Sequence, residues 1–375
     1  MKNMIKMSLV AAVAVAGLST SATAGSLEDA VKDTSIKGKV EVGYNYGKVK
    51  TGTAAATQNN EWEYDIDLTF NTKVNDMITA QVGVQADHVI DIDAKQNTNN
   101  SAANDITITS LNFTAKTDVA TVIVGKQKQP TPFMDDDKGD GVVALVPAGP
   151  VTLAAGHFTG MTATTTEDLT AAAVIGTVGP VNASLWYVTT DLTNTTDVSG
   201  YSLALDGKVG PVAVDVRHTN LNYDSRTAGV QDVDASLTKI VATADLDMLT
   251  VTAGYGMTND EIAGRAGAGV DLTGDNDAAV NLETEHFALD DLNDADAFLV
   301  AVAGKVGSKT TIGAQYFVAD DKVNTDYTEF SVNAAYQMSK NFKVSGVIAT
   351  SEIDVTGFGA DTDNDTFELS LKYSF

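Results

Sequence analysis

Through most of the chain, apolar residues fall at every second position. Ile36, Gly38, Val40, Val42, Tyr44 and Tyr46 alternate with Lys37, Lys39, Glu41, Gly43 and Asn45. Trp62, Tyr64, Ile66, Leu68 and Phe70 alternate with Glu61, Glu63, Asp65, Asp67 and Thr69. A period of two puts the two sets on opposite faces of a strand. The second of these strands is the more informative: one face is aromatic and aliphatic, the other carries four carboxylates. Similar runs predict strands over 78–87, 106–116, 121–128, 142–146, 151–159, 168–177, 181–190, 199–207, 212–222, 236–245 and 248–257. The last five fall at 296–306, 309–319, 327–337, 342–353 and 366–375, after the longest loop, 258–293. In the 106–116 run the apolar phase changes between Ile108 and Leu111, which predicts a bulge. Residues 25–34 lack a strand period and read as a short helical or irregular lead-in.

The turns repeat as well. Ala148-Gly149-Pro150-Val151, Val178-Gly179-Pro180-Val181 and Val209-Gly210-Pro211-Val212 recur 30 and then 31 residues apart. Each Gly-Pro pair stops one strand and reverses the chain into the next. One hairpin plus one loop per repeat, with the short turns all at one end, is an up-and-down meander. A soluble sandwich could bury the apolar face and wet the other. A barrel with a water-filled lumen explains both faces, and it explains the aromatic residues near strand ends as an interface girdle. The expected fold is all-β: a transmembrane antiparallel up-and-down barrel of about 18 strands, with short periplasmic turns and longer outer loops.

The two ends of the chain fit this reading. Met1 to Lys6 is basic, Met7 to Leu18 is apolar, and Ala22-Thr23-Ala24 supplies small residues, the layout of a secretory signal peptide. Residues 1–24 are expected to be cleaved, leaving 25–375 as a single barrel domain. The last strand carries Phe367, Leu369, Leu371, Tyr373 and Phe375 on one face and ends on an aromatic carboxylate. That pattern resembles the sorting signal read by the barrel-insertion machinery of the bacterial outer membrane.

Composition then narrows the function. Loss of Lys2 and Lys6 with the signal moves the net charge from −26 to −28, which argues against nucleic acid as a partner and suits attraction of cations. The chain has no cysteine, which excludes disulfides and thiol chemistry. His88, His157, His218 and His286 are scattered without metal spacing, and neither a nucleophile elbow nor a phosphate loop is present. The chain therefore reads as a channel and not an enzyme.

Three stretches resemble the major outer-membrane porins of Campylobacter and its relatives: Ser26 to Asp33 with the strand after it, Asp118 to Gln127 leading into the acidic 135–141 segment, and the C-terminal strand. The likeness covers about a third of the chain. It implies an 18-stranded barrel in outer-membrane lipid, assembled as a homotrimer and passing cations and small hydrophilic solutes. It also implies a third loop folded inward as the constriction, here with Asp135, Asp136, Asp137, Lys138 and Asp140. By the same likeness Asp140 would ligate a structural calcium.

The pore itself is the expected functional site. Its lining is expected to include Lys37, Lys39, Glu41, Glu61, Glu63, Asp65, Asp67, Asp87, Lys126, Asp215 and Arg217, seven carboxylates against four bases. Two further acidic clusters suit calcium by spacing, Asp271, Asp275 and Asp277 in the longest loop and Asp361, Asp363 and Asp365 in the last; a solvated acidic loop is the plainer reading of each. A cation-preferring diffusion porin is the leading function. A substrate-selective channel would favour a ladder of arginines, and the chain has only Arg217, Arg226 and Arg265. A surface adhesin or a soluble calcium-binding β protein is the third possibility.

Overall fold

A computed structural model describes residues 34–91, 106–129, 131–134, 138–159, 168–193, 196–227, 231–259, 270, 282–322, 324–357 and 359–375. The expected signal peptide, the lead-in before residue 34, Asp135, Asp136, Asp137, Asp271, Asp275 and Asp277 lie outside the described residues.

Eighteen strands form one antiparallel sheet, and each pairs with its neighbour in sequence. In chain order they are β1 (Thr34–Thr51), β2 (Thr57–Lys73), β3 (Ile78–Asp91), β4 (Ile106–Lys116), β5 (Thr121–Lys128), β6 (Lys138–Ala148), β7 (Val151–Thr159), β8 (Asp168–Val178) and β9 (Val181–Thr193). The second half is β10 (Thr196–Val209), β11 (Val212–Ser225), β12 (Val233–Leu246), β13 (Leu249–Thr258), β14 (Asp296–Val306), β15 (Thr310–Asp320), β16 (Thr325–Gln337), β17 (Phe342–Val355) and β18 (Thr362–Ser374). β1 also pairs with β18, from Lys39 opposite Ser374 to Thr51 opposite Thr362, so the sheet closes on itself. Closure satisfies every strand edge, the condition for a sheet to stand in lipid without unpaired backbone groups.

The turn chemistry follows the sequence. Gly149, Gly179 and Gly210 each take a positive φ, +66°, +62° and +62°, and proline follows at the second central position. Glycine accepts the left-handed conformation and proline fixes the φ after it, so each pair makes a two-residue hairpin. The expected bulge is present: Gly83 faces Ser110, the next residue Val84 faces Ile108, and Thr109 is the extra residue between them. A side chain at Gly83 would run into the Thr109 and Ser110 hydroxyls, which is why glycine stands opposite the bulge.

Cross-strand partners share a face, so face assignment passes round the ring from pair to pair. Trp62, Tyr64 and Ile66 are exposed, as are Leu203, Leu205, Phe298, Tyr316, Phe330 and Ile348 in the same phase. This is the outer, lipid-facing surface. Tyr44 and Trp62 lie 5.2 Å apart and Tyr44 and Phe367 6.3 Å apart on it, part of an aromatic band. The opposite face is concave and holds the buried core. The core is not built by strands alone: Phe133 and Met134 from the loop after β5, and Leu282, Phe287, Leu289 and Leu292 from the segment before β14, are buried against Phe158, Leu169, Val188, Leu221, Leu237, Leu299 and Phe317. Two chain segments therefore fold into the barrel and pack on the inner faces of β7 to β15.

Candidate functional site: the lumen wall and the inward segments

The inner faces of β18, β1 and β2 form one polar wall. Register links Glu368 to Asn45, Asn45 to Glu61, Glu41 to both Lys372 and Asp65, and Lys39 to Asp67. Lys39 forms ion pairs with both Asp65 and Asp67, the second at 3.0 Å. Glu41 accepts from the Ser370 hydroxyl and lies 3.3 Å from the Lys372 ammonium. Lys37 sits opposite Thr69, and Asp87 opposite Asp65, where it accepts from the Gln85 amide. Six carboxylates, those of Glu41, Glu61, Glu63, Asp65, Asp67 and Glu368, thus share this wall with Lys37, Lys39 and Lys372 across the bilayer span. A cavity of about 280 Å³ opens on the wall, with Glu41, Glu63, Asp65, Glu368 and Ser370 in its lining.

On the opposite side of the ring, Arg217 faces Lys239 across β11 and β12. Lys239 is fully buried and lies 3.4 Å from the Asp215 carboxylate. Asp215 and Arg217 are therefore on the inner face as the alternation indicates, joined by Lys239.

Of the expected pore-lining residues, Lys126 needs correction. It faces Leu111, whose side chain is exposed on the outer surface, and it is offset by one residue from Gln127, which is buried and donates to the Gly125 and Gly141 carbonyls. Lys126 is in the outward phase. Asp140, which is exposed, pairs with the half-buried Lys126 across the strands, so both stand on the outer side of the strands. Lys138 and Asp140 belong to β6, not to a constriction loop, because the strand begins at Lys138. The inward part of the third loop is its described apolar stretch, with Phe133 and Met134 fully buried. Asp363 and Asp365 likewise belong to β18 and not to the last loop; they face Lys50 and Lys48 of β1 at 3.7 and 2.9 Å.

The alternating pattern carries no signal for the second inward segment. The segment begins at Leu282 and includes a single 3-10 turn, Leu289–Asp291, before β14. Leu282 and Leu289 lie against Gly254 and Gly256 of β13, where the missing side chains leave room for them. Phe287 stacks on Phe317 of β15 at 6.0 Å and meets Tyr327 of β16 edge-on at 5.4 Å. The Gln315 amide of β15 donates to the Glu283 carbonyl. Glu329 of β16, whose side chain is only 1% exposed, accepts from the Thr284 hydroxyl, the Glu285 and His286 backbone N–H groups and His286 Nδ1 at 2.7–3.1 Å. His286 Nε2 in turn meets the Thr366 hydroxyl of β18 at 2.8 Å. The segment thus crosses the lumen side of the sheet from β13 to β18. Its Glu285 carboxyl is pushed above the usual carboxylate range, by burial first and then by the charges of Glu368 and Glu329, with His286 opposing.

A closed barrel with polar and apolar faces alternating and loops folded into its bore is the build of an outer-membrane channel. Known proteins agree. The model of the Campylobacter major outer membrane protein family matches residues 1–176. The chain has the fold of the outer-membrane porins. Among solved structures, the chain superposes on Acinetobacter baumannii OccAB4 with a TM-score of 0.66 at 12% identity, covering 92% of this chain and 99% of that one. Pseudomonas aeruginosa OccK5 (OpdH) matches with a TM-score of 0.65 at 14% identity, covering 92% and 99%. A BenF-like porin from Pseudomonas fluorescens Pf-5 matches with a TM-score of 0.66 at 14% identity, again over 92% and 99%. No curated protein matches the chain.

Proposed function

We propose that the protein is a general diffusion porin that prefers cations. The observation that carries this reading is the division of the lumen. On β7 to β15 the inner wall is packed with the apolar side chains of the inward segments. The open side is the acidic wall of β18, β1 and β2, where ion pairing with Lys37, Lys39 and Lys372 leaves carboxylates in excess. Successive carboxylates on one strand face are about 6.6–6.8 Å apart. The Debye length is about 8 Å in physiological salt, so their potentials overlap and bias which ion enters.

The reversal potential across a planar bilayer in a salt gradient should accordingly favour potassium over chloride. The preference should shrink at 1 M salt, where screening acts within about 3 Å. Glu63→Gln combined with Glu368→Gln should reduce it further. Anion preference in the unmodified protein would refute the acidic-wall reading.

Selectivity should also depend on pH through Glu285. Its raised pKa means that it takes up a proton, and loses its charge, at a higher pH than an ordinary glutamate near about 4.3. Cation preference should therefore begin to fall on acidification while most wall carboxylates are still charged. Glu285→Gln should remove that early part of the titration. A variant whose selectivity titrates like the wild type would place Glu285 outside the ion path.

The same reading takes residues 1–24 as a cleaved signal, 25–375 as one domain placed in the membrane by the barrel-insertion machinery, and the working unit as a homotrimer. Calcium at Asp140 would have to recruit residues 135–137, because among the described residues no group of three or more acidic or histidine side chains could hold a metal.

A further inference from the structure

Glu329 places a fully buried carboxylate inside the barrel wall, and neither the fold nor the acidic-wall reading accounts for it. Ser351 of β17 and Phe317 of β15 flank it in register, and neither brings a positive charge. Its two oxygens are instead taken up by four donors, all from residues Thr284, Glu285 and His286 of one inward segment. A buried carboxylate is tolerated only when its acceptor sites are filled in this way. Leu282, Phe287 and Leu289 of the same segment make apolar contacts with β13, β15 and Tyr327 of β16. The polar tip reaches β18, through His286 to Thr366. It is this tip that carries Glu285 toward Glu368 and the open, acidic side of the bore.

We propose that Glu329 is the positioning residue of the channel: it latches the tip of the inward segment at Thr284–His286 across the lumen, and so sets both the width of the open passage and the place of Glu285 within it. Burial of Leu282, Phe287 and Leu289 holds the base of the segment on the wall whether or not the latch is made. Loss of the latch frees the tip alone. The passage then widens while the barrel stays closed, because no ladder hydrogen bond between strands involves the Glu329 carboxylate. The inference rests on the channel reading and adds the residue that fixes its bore.

The test is single-channel conductance, with the size limit for neutral sugars, of purified full-length protein in planar bilayers. Glu329→Gln keeps the shape but turns an amide donor toward the donors of the segment. It should raise conductance, admit larger sugars and lower cation preference. Thr284→Val with Thr366→Val loosens the tip while leaving the carboxylate in place, and it should shift the same three readouts in the same direction; it serves also if the Glu329 variant assembles poorly.

Wild-type conductance and sugar limit in both latch variants would overturn the proposal. A wild-type protein that forms no channel would count instead against the channel reading itself.

Discussion

Deleting Phe375 is expected to remove most of the folded protein from the outer membrane. The terminal residue is part of the seam. Its N–H donates to the Gly38 carbonyl and its carbonyl accepts from the Gly38 N–H, both at 3.0 Å. Its ring lies 5.6 Å from that of Tyr373 on the outer face. The fit at the seam is close: a methyl group on Gly38 would come within 2.6 Å of the Asp67 carbonyl and 3.1 Å of the Phe375 ring. Loss of the residue shortens the β1–β18 ladder at its periplasmic end and removes the aromatic group with which the insertion machinery is expected to engage. The register pairs from Lys39 opposite Ser374 to Thr51 opposite Thr362 remain, so the loss is expected at insertion: a chain that is not inserted and closed keeps two unpaired edges, which cannot stand in lipid and invite aggregation. The measurement is the fraction of heat-modifiable barrel in outer-membrane fractions. Normal yield and normal heat-modifiability of the deletion would refute both the sorting role and the contribution of this seam.

Ile66→Arg should destabilise the barrel by about 2–4 kcal/mol, the cost of a charge on the lipid face near the bilayer midplane. Ile66 lies between the aromatic pair Trp62 and Tyr64 toward the outer end of β2 and Phe70 toward the periplasmic end, and its side chain is exposed. Val40 and Ala86 flank it in register, so nothing polar is within the outer face to receive the guanidinium. Leu68→Arg, in the same phase and nearer the periplasmic end, should cost less, since the penalty falls toward the interface. Asp67→Arg should behave differently, although it is one residue away. It breaks the ion pair with Lys39 and sets two cations together, but both face water in the lumen. That variant should fold and shift ion preference toward chloride. Denaturant titration in detergent or lipid separates the two cases, and similar stability losses at positions 66 and 67 would mean that the face assignment of β2 is wrong.

These two experiments probe what was legible in the sequence and why. Strand parity is a local property. Whether Asp67 and Ile66 point to opposite sides follows from the chain geometry of a single strand, with no knowledge of its neighbours. The same holds for the Gly-Pro turns, whose backbone conformations are restricted residue by residue, and for the bulge, which shows itself as a break in phase at Ile108 to Leu111. Lys126 lies in a strand whose expected bounds, 121–128, are those of β5, and it has the parity of Val122 and Val124, so its charge and not its phase suggests the lumen. Asp140 reads as loop because β6 begins at Lys138, where Lys138, Gly139, Asp140 and Gly141 give no apolar rhythm.

The sequence by itself therefore determined that this protein is a closed barrel, where its strands turn, and which residues of a strand such as β2 share a face. Only the tertiary structure decided what fills the bore. The latch joins Glu329 to residues 43 to 45 positions earlier, and His286 to Thr366, 80 positions later. No periodicity marks such contacts, because they arise when a non-repeating segment meets strands brought together by closure of the ring. Lys239 illustrates the same limit: on β12 it is one more polar residue in an alternating run, and it becomes a buried partner of Asp215 only because β11 and β12 lie side by side beneath the inward segments. Alternation is written in covalent geometry, whereas the course of a loop through the lumen depends on burial and hydrogen bonds that exist only after the wall has formed.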